Sequence, residues 1–457
     1  MNSIYKKIVS DIEEDIHRGI YKSGEKMPSI RKLSIKYNCS QNTVVKAFDT
    51  LRYNHVIYSI PQSGYYVVEK NLENNIENSK IINFDTGNPT IGTMSTPDLK
   101  HCLDRAADIY NNTSLNDTMS GVESLRKLLS KYLSDFQIFV DIKNIFITLG
   151  VQQTLSILTL MPFPNKKTKV LIEQPTYRHY IDFLKYSKVD VLTIERNENG
   201  LDIKELERLF KDEDIKFFYT IPRNHSPLGT SLSKKQRKAI AALAVKYDVY
   251  IVEDDYFGDI SIDTKYDPIY CYTDHKHSIY LKSFSKIMPW TRIGLIVVPS
   301  TLLSTFEEHI QFSYYSSYFS ASLISQATLE IYIRSNILKK HTDSISKELY
   351  EKHIALRKHF RTLKNYGIEP TGNNFCFYSY LLLPDWINED TLIEKLKENS
   401  VLVRSGRFFY FDESSYRKGI RISIASVSKS DIDKGLGIIE AVIKSLYDKY
   451  LENLTIL

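Results

Sequence analysis

Cysteine is scarce in this 457-residue chain: Cys39, Cys102, Cys271 and Cys376 are scattered, and none forms a Cys-x-x-Cys spacing. That excludes a disulfide framework and a structural zinc site, and it fits a reducing compartment, the cytoplasm. Long apolar runs are missing as well. No stretch is long and apolar enough for a membrane span, so none is expected. The start, Met1-Asn2-Ser3-Ile4-Tyr5-Lys6-Lys7, runs into acids at Asp11, Glu13 and Glu14 with no apolar segment between, unlike a signal peptide. A strong charge imbalance is also absent, since the net charge is only +5. Its distribution is uneven, however. Residues 1–70 hold eight Lys and three Arg against three Asp and four Glu, which accounts for +4 of that total. A basic front on a near-neutral body points either to an anionic partner or to a plain lysine-rich surface. The rest is ordinary for a soluble globular protein: 42% hydrophobic and 25% charged, with length for two or three domains.

The front end reads as a small helical module. Ile4, Ile8, Ile12 and Ile16 recur at i+4 and place an apolar stripe on a first helix, which Gly19 ends. Ser29 is placed to cap a second helix with Ile30, Leu33 and Tyr37 on one face. After the turn Asn38-Cys39, Ser40 is placed to cap a third helix carrying Val44, Phe48 and Leu51 on one face. Two short helices joined this way form a helix-turn-helix, and the third helix turns Gln41, Asn42, Thr43 and Lys46 outward. Val56–Ile60 and Tyr65–Val68 read as two strands around Pro61-Gln62-Ser63-Gly64, the hairpin of a wing.

Residues 4–68 resemble the GntR-type winged helix-turn-helix through Ile16, Gly19, Gly24, Met27, Pro28, Ser29, Arg31, Thr43, Val44 and Gly64. The resemblance implies DNA contacts at Arg31, Ser40, Gln41, Asn42, Thr43 and the wing tip Ser63-Gly64. Val45 departs from relatives that carry an arginine there, which shifts phosphate binding toward Lys46 and the other lysines. The domain boundaries expected are 1–69 for this module, 70–80 for a polar, Asn-rich linker, and 81–457 for the body.

In the body, apolar strand-like runs alternate with helical patterns, the mark of a mostly parallel sheet covered on both faces. Five strand ends lead into polar groups, where ligands sit in such sheets. Ile145–Leu149 feeds Gly150-Val151-Gln152 and a helix start suited to phosphate. Val170–Glu173 leads to Tyr177, an aromatic able to stack on a planar ring. Phe217–Thr220 leads to Asn224-His225-Ser226-Pro227-Leu228-Gly229, and Val249–Val252 leads to Glu253-Asp254-Asp255-Tyr256. Asp254 reads either as a solvated acidic turn or as the partner that keeps a pyridine nitrogen protonated. Ser278–Leu281 leads to Ser283-Phe284-Ser285-Lys286, then Arg292. Lys286 is either a lysine snorkelling from a strand end or an amine for a Schiff base with an aldehyde such as pyridoxal phosphate.

The order of these motifs resembles the fold-type I aminotransferases of class I/II over residues 81–457, a large α/β domain with a smaller C-terminal α+β part. The resemblance implies pyridoxal 5'-phosphate as cofactor and Lys286 as the catalytic Schiff-base lysine. It implies Asp254 on the pyridinium, Tyr256 on the phenolate oxygen and Tyr177 against the ring. Phosphate would be held by the backbone at Val151 and Gln152, with Ser283, Ser285 and Arg292. Gly419-Ile420-Arg421-Ile422-Ser423-Ile424-Ala425 is similar to the strand whose arginine grips an α-carboxylate. Arg421 is therefore expected to anchor an effector, with a surface salt bridge as the competing use. Ser226, expected among the cofactor-binding residues, stands where active relatives have Asn, so the phenolate oxygen either loses a hydrogen bond or takes it from Asn224. Asn116 stands where relatives place a tyrosine reaching the partner subunit's phosphate.

A GntR-type reader before such a body resembles the MocR/GabR regulators. That implies a homodimer, head-to-tail, binding double-stranded DNA half-sites and sensing an amine, an amino acid or pyridoxal phosphate itself. The alternative is a working aminotransferase with an appended DNA-binding module. Ser226 and the fused reader favour the regulator.

Overall fold

The computed structural model describes residues 4–22, 24–54, 56–60, 63–68, 81–89, 96–110, 119–260, 266–317, 321–372 and 376–456. Asn116 and the expected linker 70–80 lie outside the described residues. The chain divides into two compact units, Met1–Ser79 and Lys80–Leu457.

The first unit holds α1 (Ile4–His17), α2 (Ile30–Lys36), α3 (Gln41–Tyr53), β1 (Ile57–Ile60) and β2 (Gly64–Val67). Two of its helix starts are capped as their serines foretell. Ser29 Oγ accepts from Lys32 N, and Ser40 Oγ accepts from Thr43 N, each at 3.2 Å. Ile8, Ile12, Leu33, Val44, Phe48 and Leu51 close one core, while Ile4 stays half exposed at the open end of its stripe. The hairpin pairs Ile57 with Val67 through to Ile60 with Gly64, one residue displaced at each strand from the sequence reading. Met27 N donates to Tyr65 O at 2.8 Å, which ties the approach to α2 onto the hairpin. Gly64 has φ +125°, a region that side chains avoid, and this allows the tight wing turn.

In the second unit the strands are β3 (Ile82–Asn83), β4 (Ile145–Thr148), β5 (Lys169–Gln174), β6 (Val191–Asn197), β7 (Gly200–Leu201), β8 (Ile215–Thr220) and β9 (Tyr250–Asp254). They continue with β10 (Ser278–Ser283), β11 (Gly294–Val297), β12 (Glu369–Pro370), β13 (Tyr378–Leu382), β14 (Val401–Leu402), β15 (Arg404–Ser405) and β16 (Gly419–Ser423). Eight of them form one sheet in the order β4-β11-β10-β9-β8-β5-β6-β7. Strands β10, β9, β8, β5 and β6 are parallel, and β11 runs antiparallel to both neighbours, so β4 points the same way as the parallel set. The carboxyl ends of six strands therefore share one edge. Strands β4, β8, β9, β10 and β11 are buried along their whole length, which is why they read as continuous apolar runs.

Two strands run further than their apolar stretches. β9 takes in Glu253 and Asp254, and β10 takes in Lys282 and Ser283. The reason is distant pairing. Glu253 accepts from Ile269 N and Tyr270 N, each at 2.9 Å, and Lys282 Nζ lies 3.0 Å from Asp259. A second sheet, β12-β13-β16-β15, forms the smaller C-terminal part, and β3 pairs in parallel with β14 to bring residues 82–88 beside it.

Phe48 is fully buried in the first unit's small core. Phe48→Ala is expected to cost about 3–5 kcal/mol, enough to unfold so small a module. Calorimetry of the full chain should lose or lower one early transition while the main transition stays put. Two unmoved transitions would contradict this packing.

Candidate functional site

A cavity of about 640 Å³ opens at the shared carboxyl edge. The segments after β4, β5, β8, β9 and β10 all contribute to its wall, as the placement rule for α/β sheets requires. Of the body residues singled out in the sequence, Lys286, Asp254, Tyr256, Tyr177 and Ser226; Val151, Gln152, Ser283, Ser285 and Arg292; and Arg421 line it.

One end is built for an anion. The helix Val151–Leu160 starts here, and its first N–H groups have no partners within the helix. Gly150 caps it at φ +114°, and a Cβ there would meet only the Arg292 guanidinium, at 4.0 Å. A Cβ on Gly294 would lie 3.0 Å from the Gly150 Cα, so the two glycines let β11 and this turn approach closely. Ser283 Oγ donates to Ser285 Oγ at 2.9 Å and accepts from Ser285 N at 3.2 Å. Gln152 reaches across to donate to His179 O at 3.2 Å, while its Oε1 has no acceptor or donor partner among the described residues.

In the middle stand the lysine and the carboxylate. Lys286 is buried, and its Nζ donates to Gly87 O at 2.5 Å and to Asn88 Oδ1 at 3.2 Å. Asp254 is buried at the end of β9 and accepts from the Tyr219 hydroxyl at 2.8 Å on Oδ2. Its Oδ1 faces no partner among the described residues. Burial pushes this carboxyl up to about 7, against the opposing pull of the Tyr219 hydrogen bond. Tyr177 caps the helix Arg178–Ser187, and burial raises its hydroxyl's pKa, with the Asp254 charge adding to the shift. Tyr256 donates to the Asn224 carbonyl, so its proton is already committed. Asn224, the alternative donor to the phenolate oxygen, is not among the residues lining the cavity, and Ser226 is the residue of that loop in the wall.

The far end is cationic. Arg421 is buried on β16, donates to the Asp85 main-chain carbonyl, and keeps an Nε with no acceptor among the described residues. Its guanidinium lies 5.1 Å from the Tyr378 ring centroid and 5.3 Å from that of Phe409. It lines the cavity wall, with the Asp85 carboxylate 3.9 Å away. Sequence reasoning missed Arg404, the register partner of Arg421 on β15, which grips Asp85 through Nε and through Nη2 at 2.6 Å from Oδ2. It also missed Asp85, Gly87, Asn88, Tyr219 and Tyr378. The turn Asp85-Thr86-Gly87-Asn88-Pro89 carried a loop signal, but nothing local marks Arg404 on its two-residue strand.

In the first unit Arg31, Ser40, Gln41, Asn42 and Lys46 are exposed, and Thr43 is half buried. Ser40 and Thr43 hydroxyls bond each other at 2.9 Å, and Ser63 bonds Tyr66 at 2.6 Å. Lys46 Nζ lies 4.5 Å from the Tyr5 ring centroid, so its charge is partly engaged. Arg31, Gln41 and Asn42 remain open at the helix-turn-helix face.

Residues 4–67 match the family of bacterial regulatory proteins, gntR family, and residues 79–439 match aminotransferase class I and II. The first brings DNA binding, and the second is a pyridoxal-phosphate-dependent fold family. The uncharacterized HTH-type transcriptional regulator YcxD of Bacillus subtilis is 39% identical, over 94% of this chain and 98% of that protein. The HTH-type transcriptional regulator NorG of Staphylococcus aureus is 25% identical over 92% of this chain and its own full length. Among solved structures, Pyrococcus horikoshii kynurenine aminotransferase superposes with a TM-score of 0.71 at 24% identity, over 81% of this chain and 92% of that one. That likeness establishes the fold. The chain thus belongs to the MocR-type HTH transcriptional regulators, in which a gntR-family DNA-binding module precedes an aminotransferase class I and II domain.

Proposed function

We propose that the body holds pyridoxal 5'-phosphate on Lys286 and uses it to sense an amine or amino acid, and that the sensed state governs DNA binding by the front module. The observation that carries this is the convergence, in one cavity, of Lys286, a buried Asp254 with an unpaired oxygen, a helix-start anion cradle and Arg421. The unpaired Oδ1 of Asp254 fits a protonated ring nitrogen, because an opposite charge relieves a buried carboxylate. Gly150, the helix start at Val151 and Gln152, Ser283, Ser285 and Arg292 fit a phosphate. Tyr177 and Ser226 fit the ring and its phenolate oxygen. When bound, the cofactor supplies an aldehyde that condenses with amines and a ring that draws electrons from the bonded carbon.

Residues 85–88 offer the pocket a way to report its state. The Asp85 carbonyl sits on Arg421, and Gly87 O and Asn88 Oδ1 sit on Lys286. A carboxylate arriving at Arg421 and a cofactor joined to Lys286 compete for those same donors. Such a ligand interacts differently with two arrangements of the segment, which a population shift requires. DNA contact is assigned to Arg31, Ser40, Gln41, Asn42, Thr43, Lys46, Ser63 and Gly64, in a head-to-tail homodimer on operator half-sites in the cytoplasm. Ser226 in place of asparagine favours sensing over multiple-turnover transamination.

The purified protein is expected to be yellow or to become so with pyridoxal phosphate, and Lys286→Ala should lack that absorption band. A wild type that stays colourless after reconstitution would overturn the reading. The protonation of Asp254 gives a second test. Its folded-state pKa, about 7, lies above the ordinary 3.8, so the cofactor-free fold binds a proton that the unfolded chain releases. Cofactor-free stability should therefore fall as pH rises through that interval, and Asp254→Asn should flatten the fall while weakening cofactor retention. A variant that keeps the wild-type slope and retention would remove Asp254 from this role.

A further inference from the structure

The cationic end of the cavity holds more positive charge than one carboxylate requires. Arg404 and Arg421 face each other as register partners on β15 and β16. Like charges directly opposite repel, and Asp85 is what sits between them. Asp85 does not saturate the pair. It grips Arg404 with both oxygens but gives Arg421 only its main-chain carbonyl and a carboxylate oxygen 3.9 Å away. A third guanidinium, Arg178, lines the same wall. Its Nε has no hydrogen-bond acceptor among the described residues, and the nearest carboxylate, Asp182, stands 3.5 Å off and half exposed. Arg178 and Arg404 pack on the same ring: their Cζ atoms lie 4.5 and 5.5 Å from the Phe408 centroid. The cavity thus ends in two Nε–H groups, on Arg421 and Arg178, that make no hydrogen bond among the described residues, with Arg404 beside both.

We propose that the ligand is an amino acid with a second acidic group: its α-carboxylate sits on Arg421, and its distal acid is read by Arg404 and Arg178. Asp85 is then a resident counter-ion. It holds the arginine pair in place until the distal acid displaces it. The displacement is feasible because the Arg404–Asp85 pair is not deeply buried, with side chains 29% and 25% exposed, so its net worth is modest. A planar acid suits the guanidinium fork, which binds such groups at two points. A monocarboxylic amino acid would fill Arg421 and leave Arg178 with only its exposed pairing to Asp182. This inference rests on the cofactor-and-carboxylate reading above and goes beyond it in naming the ligand's charge class.

The test is calorimetric titration of the pyridoxal-phosphate-loaded full chain with matched pairs: L-aspartate against L-asparagine, L-glutamate against L-glutamine, L-2-aminoadipate against L-norleucine. The diacid of at least one pair is expected to bind about tenfold or more tightly than its neutral counterpart, the range of a charge-assisted hydrogen bond. Arg404→Leu should erase that preference. Asp85→Asn, which removes the competing carboxylate but keeps the main-chain carbonyl, should tighten diacid binding more than that of the neutral ligands. Equal binding within every pair, or a preference that survives Arg404→Leu, overturns the second acidic group while leaving a one-carboxylate sensor. If the loaded chain binds no amino acid at all, the sensor reading falls and this inference with it.

Discussion

A carboxylate taken out of water and left under-satisfied sets the terms for the rest of the body. Asp254 ends β9 in full burial, with the Tyr219 hydroxyl on one oxygen and no side-chain hydrogen-bond partner on the other among the described residues. Alone it is costly, which is why its proton is held to about 7. A cation placed against it removes that cost. The fold supplies the surroundings such a cation would need: Lys286 after the adjacent β10, an aromatic wall at Tyr177, and an anion cradle at the start of the helix Val151–Leu160. These groups come from distant parts of the chain and meet because six strands end at one edge. Removing the buried charge would make the arrangement cheaper to fold and would leave the cavity without its chemical reason.

The two ends of the cavity are tied by one short segment. Residues 85–88 lie between Arg421 and Lys286 and touch both. Phe84, just before them, is buried, and β3 is pinned to β14. The first residues of the body therefore stand at the place where a ligand would change contacts. The linker expected before them leads to the DNA-binding module. No part of this requires a large motion in the sheet, whose strands are packed on both faces.

Much of this was legible in the sequence because the signals were local. Apolar spacing at Ile8, Ile12, Val44, Phe48 and Leu51 gave the helical module, and serines at 29 and 40 gave two of its caps. Apolar runs gave the buried strands, and the polar groups just after them gave most of the cavity wall. What stayed hidden was set by distant partners. Glu253 and Lys282 look like strand stops until Ile269, Tyr270 and Asp259 are seen to satisfy them. Arg404 belongs to a strand of two residues, and only its register opposite Arg421 gives it meaning. Tyr256 was expected beside a phenolate oxygen; that its hydroxyl also bonds the Asn224 carbonyl depends on loop geometry no spacing rule reveals.

If pocket and DNA-binding module communicate, occupancy of the pocket changes DNA affinity. The most direct measurement is the affinity of the cofactor-loaded full chain for DNA selected by that chain from a random pool. It should be taken at one salt concentration, with and without a bound amino acid, and beside Lys286→Ala and Arg31→Ala. A change of about fivefold or more is expected on adding the amino acid, with no such change in Lys286→Ala and weak binding throughout in Arg31→Ala. Wild-type affinity that is indifferent to a ligand known to occupy the pocket would contradict it, leaving the two units as neighbours on one chain without communication.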